Sequence, residues 1–218
     1  MQQASDNFKP TGAPFLKQVK RHIMSVKLDV PGYRHLFFAA PKKSFATGDY
    51  GSWFELITWP GSLCINGDHG TFCFSRTEDM FAFFRAKPEY QIINPDYWSE
   101  KCVAVDRSGG MREYSRAIAE AAVMSHIKSF SEDLTLSQRE LTSLKQSVRR
   151  SVVFDQGEEA LRRSLSDFRW CDNDGDTIFS DFWEAEVRDW TEHLIWCSRA
   201  IVWGIEKYDL TKEAISGH

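Results

Sequence analysis

The 218-residue chain contains no run of about eighteen uninterrupted apolar residues, the length a helix needs to cross a bilayer. Its polar opening, MQQASDNFKP, has no apolar stretch of the kind that heads a secretory signal. No membrane partner is expected, and a cytoplasmic location is. GxSxG, HExxH, Walker A and GxGxxG patterns are also missing, so a nucleophile elbow, a zinc-protease helix and the common phosphate-cradling loops are excluded in their usual forms. Five cysteines, an odd number without a CxxC pair, argue against a disulfide framework and for free, mostly buried thiols in a reducing compartment. No Pro/Gly/Ser-rich linker and no internal repeat separates one part of the chain from another. No catalytic residue, metal ligand or cofactor is assigned on this basis.

Apolar mass, by contrast, is plentiful: 42% of residues are hydrophobic, with eight Trp and sixteen Phe, enough to bury a full core. The most patterned stretch is SWFELITWPGSLCINGDHGTFCFSRTEDMFAFF, residues 52–84. Pro60-Gly61 and Asn66-Gly67 punctuate alternating strands, and the hairpin at 66–70 returns residues 71–74 antiparallel to 62–65. Leu63 and Ile65 then share a face with Phe72 and Phe74, while Cys64 and Cys73 can lie across from one another. Thr77 offers a hydroxyl as helix N-cap, Met80, Phe81 and Phe84 form the apolar stripe behind it, and Pro88 stops that helix.

Upstream, Met24, Val26, Leu28 and Val30 alternate with polar residues, which predicts a half-buried strand turned by Pro31-Gly32 into a second one. About five antiparallel strands are expected. Downstream the period becomes helical. Asn94-Pro95 opens a helix carrying Trp98, Cys102 and Val105, and further helices are predicted over 114–130, 135–152 and 158–168. The second of these has a Thr135–Gln138 capping box and a stripe of Leu141, Leu144, Val148 and Val152. A long final helix, packed on several sides, is predicted from Ser180 or Asp181 to about Tyr208. The fold class is therefore α+β: one domain over 13–218, with a sheet part at about 20–76, a helical part at about 77–210, and a disordered segment 1–12 ahead of it.

Four blocks stand out together: FELITWPGSLCINGDHGTFCFSRTEDMFAFFR, INPDYWSEKCVAVD, FSDFWEAEVRDWTEHLIWC and AIVWGIEKYD. Over about a third of the chain and in matching order, they resemble an uncharacterised family of tailed-phage and prophage proteins. The resemblance implies a phage origin, and with it the cytoplasm of a bacterial host cell; it brings no activity with it.

Several local clusters invite chemistry. Asp172, Asp174 and Asp176 alternate as in a calcium loop, but from Asp172 the register puts Thr177 where the turn glycine belongs and Trp183 where the bidentate Glu belongs. An exposed Asp/Gly turn is the simpler reading. Cys64, His69 and Cys73 supply only three local metal donors, one short of a closed zinc site. Asp68-His69 pairs a carboxylate with an imidazole at a turn, which fits acid/base chemistry but equally a solvated loop.

Charge is unevenly distributed behind a formal net of −4. Residues 1–44 carry eight Lys/Arg against two Asp/Glu, and residues 155–192 carry four Arg against twelve Asp/Glu. The leading expectation is a non-enzymatic phage accessory protein that binds a host protein or ribonucleoprotein complex, as an inhibitor of an antiviral defence of the CRISPR type would. Asp172, Asp174, Asp176, Asp181, Glu184 and Glu186 would present the acidic surface. The alternative is a nucleic-acid-associated protein of phage replication or recombination that uses Lys17, Lys20, Arg21, Lys27, Arg34, Lys42 and Lys43 on a basic sheet face. A third reading is an enzyme with an unfamiliar site near Asp68 and His69. The apolar hairpin and final helix leave a homodimer open.

Overall fold

A computed structural model describes residues 12–41, 52–85, 93–107, 109–170 and 178–216. The segment expected to be disordered (but for residue 12), Lys42, Lys43, Pro88, Asp172, Asp174 and Asp176 lie outside those residues. The architecture is α+β, as expected, but it divides into two compact units: residues 1–111 with 190–218, and residues 112–189. The middle helices close on a core of their own.

The first unit is built on a six-stranded antiparallel meander in sequential order. Its strands are β1 (Ile23–Val30), β2 (Tyr33–Ala39), β3 (Trp53–Trp59), β4 (Ser62–Gly67), β5 (Gly70–Ser75) and β6 (Cys102–Val105). Strand parity aligns Leu36, Leu56, Ile65 and Phe72 in one row and sets Phe38 opposite Phe54 in another, all essentially solvent-free. Helices α1 (Ala13–Val19), α2 (Met80–Phe84) and α3 (Pro95–Ser99) join that core through Phe15, Phe81, Phe84 and Trp98. A 25-residue helix at the carboxyl end, Glu192–Ser216, completes it. Trp203 and Trp196 of that helix lie 5.6 Å from Phe38 and 5.5 Å from Phe54, ring centre to ring centre. Gly204 faces the sheet so closely that a Cβ there would stand 2.8 Å from Leu56 Cδ1 and 3.1 Å from Phe38 Cζ.

Several local expectations give way to longer-range partners. Residues 102–105 form a strand because β5 offers an open edge: Ser75 N–H donates to Lys101 O and Asp106 N–H to Thr71 O. The Asn94 cap does form, its side chain accepting from Tyr97 N–H, but the helix lasts only to Ser99. Asp79, rather than Thr77, caps α2, because its Oδ1 accepts from Phe81 N–H at 2.9 Å. On β1 the alternation breaks at a bulge between Val26 and Leu28. One extra residue inverts the pleat. Leu28 and Val30 thus turn to the opposite face, where they are 45% and 48% exposed. Asp29 turns inward instead, accepting from Tyr208 Oη at 2.9 Å and pairing with Lys212.

The second unit contains helices α4 (Arg116–Asp133), α5 (Gln138–Ser151) and α6 (Glu158–Ser166) and, as far as Asp189, a two-stranded ribbon of β7 (Arg112–Tyr114) with β8 (Arg188–Trp190). Val123, Ile127, Leu144, Val148, Leu161 and Val187 centre its core. The capping box lies two residues further on than the sequence suggests: Ser137 and Glu140 cap each other's backbone. Thr135, with φ +52°, sits in the left-handed region and cannot open the helix. The final helix, α7, starts at Glu192 rather than near 180. Thr191 Oγ1 accepts from Leu194 N–H at 3.3 Å, and residues 178–190 are spent on a 3-10 turn (Phe182–Glu184) and β8. Among the described residues no helix is long and apolar enough to cross a membrane.

Substituting Gly204→Val is expected to lower unfolding stability by about 1–3 kcal/mol through overpacking of α7 against Phe38 and Leu56. Chemical denaturation followed by tryptophan fluorescence measures it, and an unchanged midpoint would refute the close approach.

Candidate interaction surface

Segment 178–187 starts from two buried rings and a basic side chain. Ile178, Phe179 and Phe182 are buried in the second unit's core, and His126 Nε2 donates to Ile178 O at 2.6 Å. Arg162 on α6 then spends its guanidinium on the backbone. Nη1 donates to Phe182 O and Trp183 O, both at 3.1 Å, and Nη2 to Ala185 O at 3.2 Å. Glu158 fixes the guanidinium by accepting from Nε at 2.9 Å, and its other oxygen accepts from Arg188 Nε at 2.6 Å. These hydrogen bonds, that to Arg188 foremost, hold the Glu158 carboxyl below the ordinary carboxylate range.

The product is an exposed indole on a fixed backbone. Trp183 is 69% exposed while Phe182 beside it is 3% exposed. A cavity of about 190 Å³ adjoins it, floored by Leu165, Phe179 and Phe182 and edged by Arg162, Ser166 and Ser180. Asp181 and Glu184 flank the indole on the same 3-10 turn, both exposed, and neither carboxylate has an ion-pair partner among the described residues.

Four other acids of the segment are differently employed. Glu186 pairs with Arg112 and accepts from the Val187 and Arg188 amides. Asp155 pairs with Arg116, Glu159 with Arg163, and Glu158 with two arginines. Of the six acids expected to form one surface, Asp181 and Glu184 are together and uncommitted, Glu186 is committed, and Asp172, Asp174 and Asp176 lie outside the described residues. A final helix starting near 180 would take in Trp183, whereas the structure puts it on the 3-10 turn ahead of that helix. Thr191 with Glu192 in the first turn is the cap signal that marks the true start.

Among the described residues the predicted basic side chains stand on several elements. Lys17 and Lys20 are exposed on and just after α1, and Arg21 donates to Pro41 O. Lys27, at the bulge, lies 5.5 Å from the Phe37 ring. Arg34 is on the opposite, helix-bearing face, paired with Asp79 at 3.0 Å and stacked on Phe81. Lys42 and Lys43 lie outside the described residues.

The turn at Asp68-His69 is occupied structurally. Asp68 Oδ2 accepts from Trp53 N–H at 2.9 Å, and the His69 ring stacks on Trp196 at 4.0 Å. Cys64 and Cys73 belong to the other sheet face, so His69 does not join them. Among the described residues no three His, Cys, Asp or Glu side chains converge on a metal-sized space. Burial, and then His193, pushes the His69 imidazole below its ordinary value, and burial does the same to His22, whose Nδ1 has no hydrogen-bond partner. Burial thus disfavours the charged form of both rings.

Two outcomes follow. The histidine contribution to stability is fully present above the unfolded value near 6.5 and is lost as pH falls from there through the lower folded values. The thermal midpoint should therefore drop between about pH 7.5 and pH 5.5, and the double variant His22→Gln, His69→Gln should flatten that branch. Arg162→Ala leaves three carbonyls without their donor and should cost about 2 kcal/mol, with amide exchange accelerating at 182–187 ahead of α4; uniform exchange across the unit would contradict the clamp. Compared with protein-family models, curated proteins and solved structures, the chain matches none of them.

Proposed function

We propose that this protein works by binding another protein, as a phage-encoded accessory factor that inhibits a host antiviral defence. The observation that carries this reading is Trp183, an exposed indole on a backbone pinned by Arg162 and flanked by the uncommitted carboxylates of Asp181 and Glu184. An aromatic anchor held in place before contact loses little entropy on binding, and Trp is the residue type most enriched among interface hot spots. The flanking charges select a partner with an apolar pocket rimmed by Lys or Arg, such as the nucleic-acid channel of a defence complex. Occupying that channel would exclude its DNA or RNA. The nucleic-acid reading has weaker support, since Arg34 is committed to Asp79 and, among the described residues, Lys17, Lys20 and Arg21 stand on or after α1 while Lys27 stands on β1.

The test is capture from a host carrying intact defence systems, paired with a phage-plating assay of inhibition. The expected result is a stoichiometric defence-complex partner whose affinity falls at least about thirtyfold in Trp183→Ala. In the double variant Asp181→Lys, Glu184→Lys, association slows and loses its salt dependence. Undiminished binding and plating in both variants would remove this surface, and recovery of salt-sensitive nucleic acid alone would shift the assignment to the basic residues.

A further inference from the structure

Cys64 and Cys73 face each other across the β4–β5 hairpin, directly paired in register, with their sulfurs 2.7 Å apart. The ladder pattern says which kind of pair this is. Antiparallel partners alternate between hydrogen-bonded pairs and closer, non-hydrogen-bonded ones. Thr71 turns its N–H to Asp106 Oδ2 and its carbonyl to Asp106 N–H, and Ser75 turns its N–H to Lys101 O, so both direct their backbone groups away from β4. Cys73 lies midway between them and shares their parity. Cys64–Cys73 is therefore a non-hydrogen-bonded pair, whose Cα separation of about 4.5 Å falls within the range a disulfide spans without moving the backbone.

Access and competition point the same way. Both side chains are half-buried, on the sheet face opposite α7, and neither carries a structural hydrogen bond that oxidation would break beyond their own contact and one from Cys64 to Ile65 O at 3.7 Å. Cys102, the next sulfur along, is offset from Cys73 by the bulge at Val103 and donates to Ala104 O at 3.3 Å. Cys197 is 1% exposed and directs its sulfur to His69 O.

We infer that Cys64 and Cys73 are an oxidative modification site: a dithiol that a small-molecule disulfide converts to a cross-strand disulfide stapling the β4–β5 hairpin. One protein thiolate attacks a sulfur of the reagent, forming a mixed disulfide and expelling one reagent thiolate. The second protein thiol, once deprotonated, attacks the cysteine sulfur of that mixed disulfide and expels the second. Two protein S–H bonds and the reagent S–S bond are lost, while one protein S–S bond and two reagent S–H bonds form. Two electrons and two protons pass to the reagent. Burial and the neighbouring Cys73 sulfur push the Cys64 thiol up, so the reaction is slow at neutral pH and quickens as pH rises.

The experiment uses the reduced full chain, incubated with glutathione disulfide, alkylated under denaturing conditions and mapped by peptide mass spectrometry. Cys64 and Cys73 are expected to lose alkylation together, to appear as one crosslinked peptide without glutathione, and to recover with dithiothreitol. Cys102→Ser should leave the crosslink unchanged. Cys64→Ser and Cys73→Ser, with folding verified by circular dichroism, should each retain one glutathione on the remaining partner. A stable glutathione adduct on either cysteine of the unsubstituted protein, full alkylation of both, or a Cys73–Cys102 crosslink would each overturn the assignment.

Discussion

The first unit depends on one contact: the absence of a side chain at Gly204, which lets α7 settle onto Phe38 and Leu56. Glycine costs a helix about 1 kcal/mol relative to alanine, and the close approach offsets that by seating Trp196 and Trp203 against a stacked aromatic pair. Phe38 and Phe54 lie 4.6 Å apart at an 8° interplanar angle, and such flat stacking gives the helix an even floor. With α7 in place, the short helices have something to pack against. Phe15 of α1 meets Trp196 edge-on at 5.5 Å, and Phe81 of α2 meets Tyr208 at the same distance. None of these helices, at five to seven residues, would persist alone in water.

Polar groups around this core act as fasteners. The bulge on β1 brings Asp29 to Tyr208 and Lys212, and Arg85 grips Asp209 through two hydrogen bonds of 2.8 and 3.0 Å. On the opposite sheet face, His35, Glu55, Asn66 and Thr71 form a cross-strand chain with links of 2.7, 3.0 and 2.7 Å. Burial opposes the charge on Glu55, yet the Asn66 and His35 hydrogen bonds prevail and hold its carboxyl below the ordinary range. The Cys64–Cys73 pair sits one step along the same hairpin, so oxidation would add a covalent tie where the register is already set by polar contacts.

The second unit uses charge differently. Glu120, Asp155, Glu158, Glu159 and Glu186 are partners of nearby arginines, and the Glu158–Arg162–Arg188 cluster turns part of an acidic run into the support of a loop. On the braced turn itself, one indole and two carboxylates are left for a partner. This separates the carboxylates spent on arginines, Asp155, Glu158, Glu159 and Glu186, from those that flank the indole.

Much of the fold was legible because it follows from local chemistry. Gly61 and the glycines at 67 and 70 punctuate the hairpins, alternation sets which of residues 63, 65, 72 and 74 face the core, and of the predicted stripe Leu144, Val148 and, just past α5, Val152 are buried while Leu141 is half-buried. The misplaced features share a cause. Strand β6 exists because β5 has an unpaired edge, the β1 bulge because Asp29 has Tyr208 and Lys212 to reach, and the late start of α7 because residues 182–185 answer to Arg162 rather than to their own helical period. The candidate site followed the same division: Asp181 and Glu184 could be named from composition, whereas Trp183 could not, since its exposure is set by a guanidinium twenty-one positions away in the chain. By itself the sequence determined the α+β class, the register of the β4–β5 hairpin and the inward-facing residues of that hairpin, because those depend on side-chain period and turn stereochemistry. Only the tertiary structure decided which charges are spent internally and which indole faces solvent, because hydrogen-bond donors are allotted by proximity in space.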